Sequence, residues 1–163
     1  MMFIAACGVD PAGPPDTDEV TTQAVQSAGI FSVPDGAYVG SGTWTDSTGR
    51  SGTLTDTTTL NNLTNTEVTN YSDGRVIQTA ITYAQQGGSR YNVTVTIGGQ
   101  TYTIGFGACS QNQCETSITT AASTFLESTE YSTIGHTTLM RRSGGFLDSS
   151  SGVWTFYRLV EVN

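Results

Sequence analysis

From Ala37 to its end the chain repeats with a period of two, which strands satisfy and helices do not. The clearest stretch sets Tyr91, Val93, Val95 and Ile97 against Asn92, Thr94 and Thr96. Gly98-Gly99 comes next as a two-residue turn, and Tyr102, Ile104 and Phe106 then alternate with Thr101, Thr103 and Gly105. This is a hairpin written in β-branched and aromatic residues. Similar runs cover 37–45, 51–60, 63–71, 75–83, 115–120, 125–131, 136–142 and 153–162, broken by Asp46–Gly49, Asn61-Asn62, Ser72-Asp73-Gly74 and Gly87-Gly88. Twenty-nine of the 163 residues are Thr and 19 are Gly. No helical stretch is long enough for βαβ crossovers, so a parallel α/β fold is excluded. The expectation is an all-β domain: a single antiparallel up-and-down barrel of about eight strands, with a sandwich as the alternative. Closure into a barrel disposes of the edges that such a sheet would otherwise have to protect.

Six Lys+Arg stand against 14 Asp+Glu, for a net charge of −8. That field repels phosphate backbones and anionic headgroups, so nucleic acid is excluded as a partner and no polybasic anchor exists. Residues 1–36 hold all four Pro and many acids, and read as an N-terminal tether ahead of a domain at 37–163. Val20–Ala28 is the one short stretch with helical spacing. Cys109 and Cys114, with four residues between them, lie between two strand-like runs. Their pairing would staple a hairpin, as expected of an oxidising compartment; free thiols are the alternative. With one His in the chain, no metal set is expected.

Ile4-Ala5-Ala6-Cys7 resembles the lipobox of bacterial lipoproteins. The resemblance implies a lipid anchor on Cys7, membrane contact only through it, and a cell-envelope location. Gly42-Thr43-Trp44 near the start of the domain, with Arg158 in its last run, resembles the signature of the calycins: lipocalins, fatty-acid-binding proteins and small bacterial lipocalin-like domains. In that superfamily Gly-x-Trp opens the barrel, and a late basic residue lies over the Trp and closes the barrel bottom. The resemblance therefore implies that Gly42, Trp44 and Arg158 close this one. Residues 154, 156, 158, 160 and 162 share a parity, which would put Arg158 on an apolar inner face. Gly-Thr-Trp-Thr and Ser132–Thr138 also resemble fragments of the avidins, but Trp44 and Trp154 are too few to wall a biotin pocket.

Tyr38, Tyr83, Tyr91, Tyr102 and Phe106 are expected to share the inner face and to line a small-molecule pocket, unless they simply fill the core. Arg141 and Arg142, neighbours on one strand, must point to opposite faces. Arg141 is taken as the one that enters the barrel to meet an anionic headgroup. His136 has no acid or nucleophile at a telling spacing, and Glu127 and Glu130 lack the alternating oxygens of a calcium loop. No catalysis and no cofactor are expected. The function read from this pattern is binding of a small apolar or amphipathic molecule. The alternative is a structural or adhesion module that contacts an envelope protein or glycan by its outer surface.

Overall fold

The computed structural model describes residues 34–163; Cys7, Val20–Ala28 and most of the tether lie outside that range. Ten strands succeed one another: β1 (Gly36–Asp46), β2 (Ser51–Asn61), β3 (Thr64–Tyr71), β4 (Val76–Gly87), β5 (Arg90–Ile97), β6 (Gln100–Ser110), β7 (Gln113–Thr119), β8 (Ser123–Ile134), β9 (Thr137–Asp148) and β10 (Val153–Val162). Each pairs antiparallel with its sequence neighbours, and β10 returns to β1, so the sheet closes. The barrel is up-and-down as expected, with ten strands in place of about eight. Weakly patterned runs such as 125–131 are full strands, because burial of one face suffices where the other carries Ser, Thr and Gly. Gly98 and Gly99, both at positive φ, turn β5 into β6.

Three packed groups fill the interior. Tyr38, Cys114, Tyr131 and Met140 plug the end that carries the β2–β3 and β8–β9 turns. Toward the other end, one wall is built on Ile81, Tyr83, Tyr91, Val93 and Ile118. The facing wall is built on Trp44, Leu54, Tyr71, Tyr157 and Leu159. Cys109 and Cys114 face each other across β6 and β7 and are joined by a disulfide.

The inner face of β10 is the reverse of the one its apolar pattern predicts. Thr155, Tyr157, Leu159 and Glu161 point in; Phe156, Arg158, Val160 and Val162 are exposed. The register with β1 supplies the reason. Gly42 lies opposite Leu159 and Gly40 opposite Glu161. A Cβ on Gly42 would stand 1.9 Å from the Arg158 carbonyl oxygen and 2.7 Å from Leu159 Cβ, and one on Gly40 would stand 2.7 Å from Glu161 Cγ. The two glycines thus clear the space that β10's inward side chains occupy.

Arg158 accordingly does not cover Trp44. Arg75, from the β3–β4 turn, does so in its place. Its guanidinium carbon sits 4.5 Å from the ring centroids of both Trp44 and Tyr71. Asp73 holds it through Nε at 2.8 Å, and its Nη1 donates to Thr155 Oγ1 at 3.1 Å.

Candidate functional site

Between the two apolar walls lies a cavity of about 640 Å³. Its walls are apolar, from Tyr71, Ile77, Ile81, Ile118, Phe125 and Phe146, with Thr120, Ser123 and Asp148 lining it where β7, β8 and β9 reach their turns. Its floor is polar, from Asn65, Glu67, Thr69, Thr116 and Glu127. No Arg, Lys or His lines it.

Beneath that floor, Arg142 is 4% exposed and surrounded by acids. Its Nε donates to Glu161 Oε2 at 2.8 Å, and Nη1 donates to Glu67 Oε2 at 2.7 Å and to Glu127 Oε2 at 3.4 Å. Nη2 donates to Asp56 Oδ2 at 2.9 Å and to Thr58 Oγ1 at 3.0 Å. All five donors of a guanidinium are thereby committed. The acids are braced in turn: the Thr69 hydroxyl lies within hydrogen-bond reach of both Asp56 and Glu67 and donates its one proton to either, Thr58 donates to Asp56, and Thr129 and Tyr157 donate to Glu127.

One cation shared among four carboxylates leaves an excess of negative charge, and burial drives protons back onto it. Burial raises Glu127 above its usual range, against the pull of Arg142. Burial likewise pushes Glu161 up to about 8, with Asp56 adding to the rise. Burial alone would lower Arg142, but Glu67, Glu127 and Glu161 outweigh it and hold the guanidinium well above its ordinary value.

An acid whose folded pKa is raised favours the folded state fully below its unfolded value and loses that contribution as pH rises through the folded one. Glu161 therefore weakens the barrel between about pH 4.5 and pH 8, by an amount on the order of a few kcal/mol. Asp46 acts oppositely. Thr48 and Arg50 hydrogen bonds lower it to about 2, so its contribution disappears only as pH falls toward that value. Urea unfolding at pH 5 and pH 9 is expected to show higher stability at pH 5, and Glu161→Gln to flatten the difference. A wild-type protein more stable at pH 9 would contradict the assignment.

The cavity reaches the barrel wall along one seam. β4 and β5 pair only from Thr82↔Thr94 to Gly87↔Arg90, and β6 and β7 only from Gly105↔Ile118 to Ser110↔Gln113. Val95–Ile104 therefore forms a hairpin whose ladder is with itself alone. Residues 76–81 of β4 have no β5 partner, and both inward Thr79 and outward Gln78 and Ala80 line the cavity there. The hairpin departs at a register shift beside Val93 and Thr94. Val95 and Ile104 stay packed against the core, while Ile97 at the tip is exposed.

That shift corrects one expectation, and the hairpin's departure from the wall a second. The shift leaves Ile104 as an extra residue facing in, and thereby turns Phe106, 66% exposed, to the outer face. Tyr102 also lies outside the cavity, half-exposed, its hydroxyl donating to Gln100 Oε1. Tyr83 lines the cavity. Tyr91 is buried behind it, its hydroxyl 2.7 Å from Thr116 Oγ1. Tyr38 is fully buried in the plugged end, its hydroxyl donating to the Pro34 carbonyl. Arg141 is exposed on the outer face and shares a groove there with Arg158; its neighbour Arg142 is the one that enters. The inward arginine meets the chain's own carboxylates, not a ligand's. His136 is exposed at the β8–β9 turn. Among the described residues no group of His, Cys, Asp and Glu could hold a metal ion.

The acid cluster escaped the sequence reading, although parity could have found it. Asp56, Glu67, Glu127 and Glu161 share parity with Leu54, Tyr71, Tyr131 and Leu159 on their strands. A charge mid-strand on an apolar face is a signal for a buried ion network.

No family model and no curated protein matches the sequence. By structure the barrel is similar to the S-type phycobiliprotein lyase CPES from Guillardia theta, with a TM-score of 0.60 over 79% of this chain and 87% of that one, at 8% identity. It also matches a protein of unknown function from Bacteroides ovatus with a TM-score of 0.39 over 78% of this chain and 41% of that one, at 7% identity. The first likeness shows a shared barrel fold, and at that identity it speaks of fold alone.

Proposed function

We propose that this protein binds a small apolar or amphipathic molecule inside the barrel, with access through the β4–β5 seam. The observation that carries the reading is the cavity. Its volume, about 640 Å³, falls within the range that takes a drug-sized ligand, and its apolar wall ends on a few convergent polar groups. The plugged far end makes it a blind pocket, with no channel through the barrel. The Cys109–Cys114 disulfide and the lipobox-like Ile4–Cys7 support placement in an oxidising cell envelope, held by a lipid on Cys7.

A neutral hydrophobic fluorophore such as N-phenyl-1-naphthylamine tests the reading. It is expected to bind saturably with one-to-one stoichiometry, and Ile104→Trp, which fills the cavity beside the seam, to weaken it about ten-fold or more. Absence of saturable binding, or indifference to Ile104→Trp, would remove the cavity from consideration.

The second reading, an adhesion surface, has its own observation. Phe106, Ser117, Leu126, Gly145 and Phe156 form one outward row across five strands. Phe156, 49% exposed, stacks on Trp154 with ring centroids 6.1 Å apart. Three exposed apolar side chains in that row, Phe106, Leu126 and Phe156, suit contact with a protein or glycan partner. It becomes the favoured reading if the cavity stays empty in the dye experiment.

A further inference from the structure

We infer that the cavity selects an amphiphile whose polar end is a protonated amine, seated against Glu67, Glu127 and Asn65, and that it rejects carboxylates. The inference rests on the ligand-binding reading and names the class of ligand.

The donors come first. No cationic side chain lines the cavity, and the one guanidinium beneath it has spent every N–H on Asp56, Thr58, Glu67, Glu127 and Glu161. A carboxylate arriving at the floor would lose its hydration, find no uncommitted cation there, and face two acids. Arg75 Nη2 has no hydrogen-bond partner, but its guanidinium is stacked on Trp44 and Tyr71 and does not line the cavity. The acceptors point the other way. Glu67 and Glu127 are held close together, because both accept from the same Arg142 nitrogen.

Asn65 adds an independent observation. It is 5% exposed and lines the same cavity; its Nδ2 reaches the Tyr83 hydroxyl at 3.5 Å, and its Oδ1 has no donor. A buried carbonyl oxygen without a donor is costly, and a ligand N–H relieves it. An ammonium brings three N–H groups and a positive charge to a floor with acceptors and surplus negative charge. The apolar wall above takes the alkyl chain, and the net charge of −8 draws a cationic amphiphile to the protein.

Dodecylamine, dodecanol and dodecanoate share a tail and differ in headgroup. Below their micellar concentrations at pH 7, each is titrated against the protein loaded with the neutral fluorophore. The amine is expected to displace it about ten-fold more tightly than the alcohol, and the carboxylate about ten-fold more weakly. In Glu67→Gln the amine-to-alcohol ratio should fall toward one while the alcohol holds its affinity. Asn65→Leu, which leaves the Arg142 network untouched, should reduce the same ratio and stands in if Glu67→Gln folds poorly. Dodecanoate binding as well as the alcohol, or a ratio unmoved in Asn65→Leu and in folded Glu67→Gln, overturns the headgroup inference while leaving the ligand-binding reading in place. If neither the dye nor any of the three binds, the reading itself fails, and the inference with it.

Discussion

Arg142→Met is expected to cost the barrel about 3–5 kcal/mol at neutral pH, the largest loss of any single substitution proposed for it. The arginine is 4% exposed and is the sole ion-pair partner of Asp56, Glu67, Glu127 and Glu161 among the described residues. A methionine fills comparable volume, so the loss is electrostatic: the acids of the cluster that stay ionised at neutral pH remain in a low-dielectric interior without their cation, while Glu161, pushed up to about 8, is largely protonated there. The defect should shrink as pH falls and the carboxylates take up protons, and denaturant titrations at pH 7 and pH 4.5 read that change directly. Arg142→Lys should fall between, since an ammonium keeps the charge but supplies three donors in place of five. A loss below about 1 kcal/mol at pH 7 would mean that the carboxylates are already neutral in the native protein, and that the cluster is a hydrogen-bond network more than an ionic one.

Locking the β4–β5 seam is expected to slow ligand exchange by about ten-fold or more with little effect on the affinity of ligand already inside. Continuing the Thr82↔Thr94 register by two residues sets Ala80 opposite Thr96, and both are exposed. In an Ala80→Cys, Thr96→Cys variant, oxidation ties the hairpin to the free length of β4, and reduction releases it. A bridge needs the two Cα atoms within about 7 Å, so its formation alone reports that the hairpin can swing onto β4. Stopped-flow binding of the fluorophore compares the two states. Equal rates in the oxidised and reduced forms would place access at another face of the barrel. The hairpin suits such a role because its outer half has no neighbouring strand to release.

The period of two was legible, and so were its direct consequences: strands, antiparallel turns, a closed sheet, and the Cys109–Cys114 pair across a hairpin. The errors cluster where alternation stops being a guide. At Ile104 one extra residue flips the rest of β6, so Phe106 changes sides although its own neighbourhood in the sequence is unremarkable. A bulge needs only one unpaired residue and leaves no compositional mark. On β10 the more apolar parity faces solvent, because the inner parity carries Glu161 to Arg142 and sets Leu159 and Glu161 over the two glycines of β1. Ranking faces by hydrophobicity fails when the interior holds an ion network.

The same limit explains Arg75 and Arg158. A Gly-x-Trp with a late arginine raised the expectation of a cation over Trp44, and a cation is there. It comes from the β3–β4 turn, which closure of the barrel brings beneath β1, and only the three-dimensional path of the chain decides which arginine arrives.

By itself, then, the sequence determined local geometry: strand, turn, antiparallel pairing, and a surface of hydroxyls with an acidic charge. These depend on neighbours a few residues apart. Which face of each strand is inner, which five side chains enclose Arg142, and where the sheet parts to open a cavity were decided by tertiary structure alone. Those outcomes depend on registers summed around ten strands, where one bulge or one glycine resets everything after it.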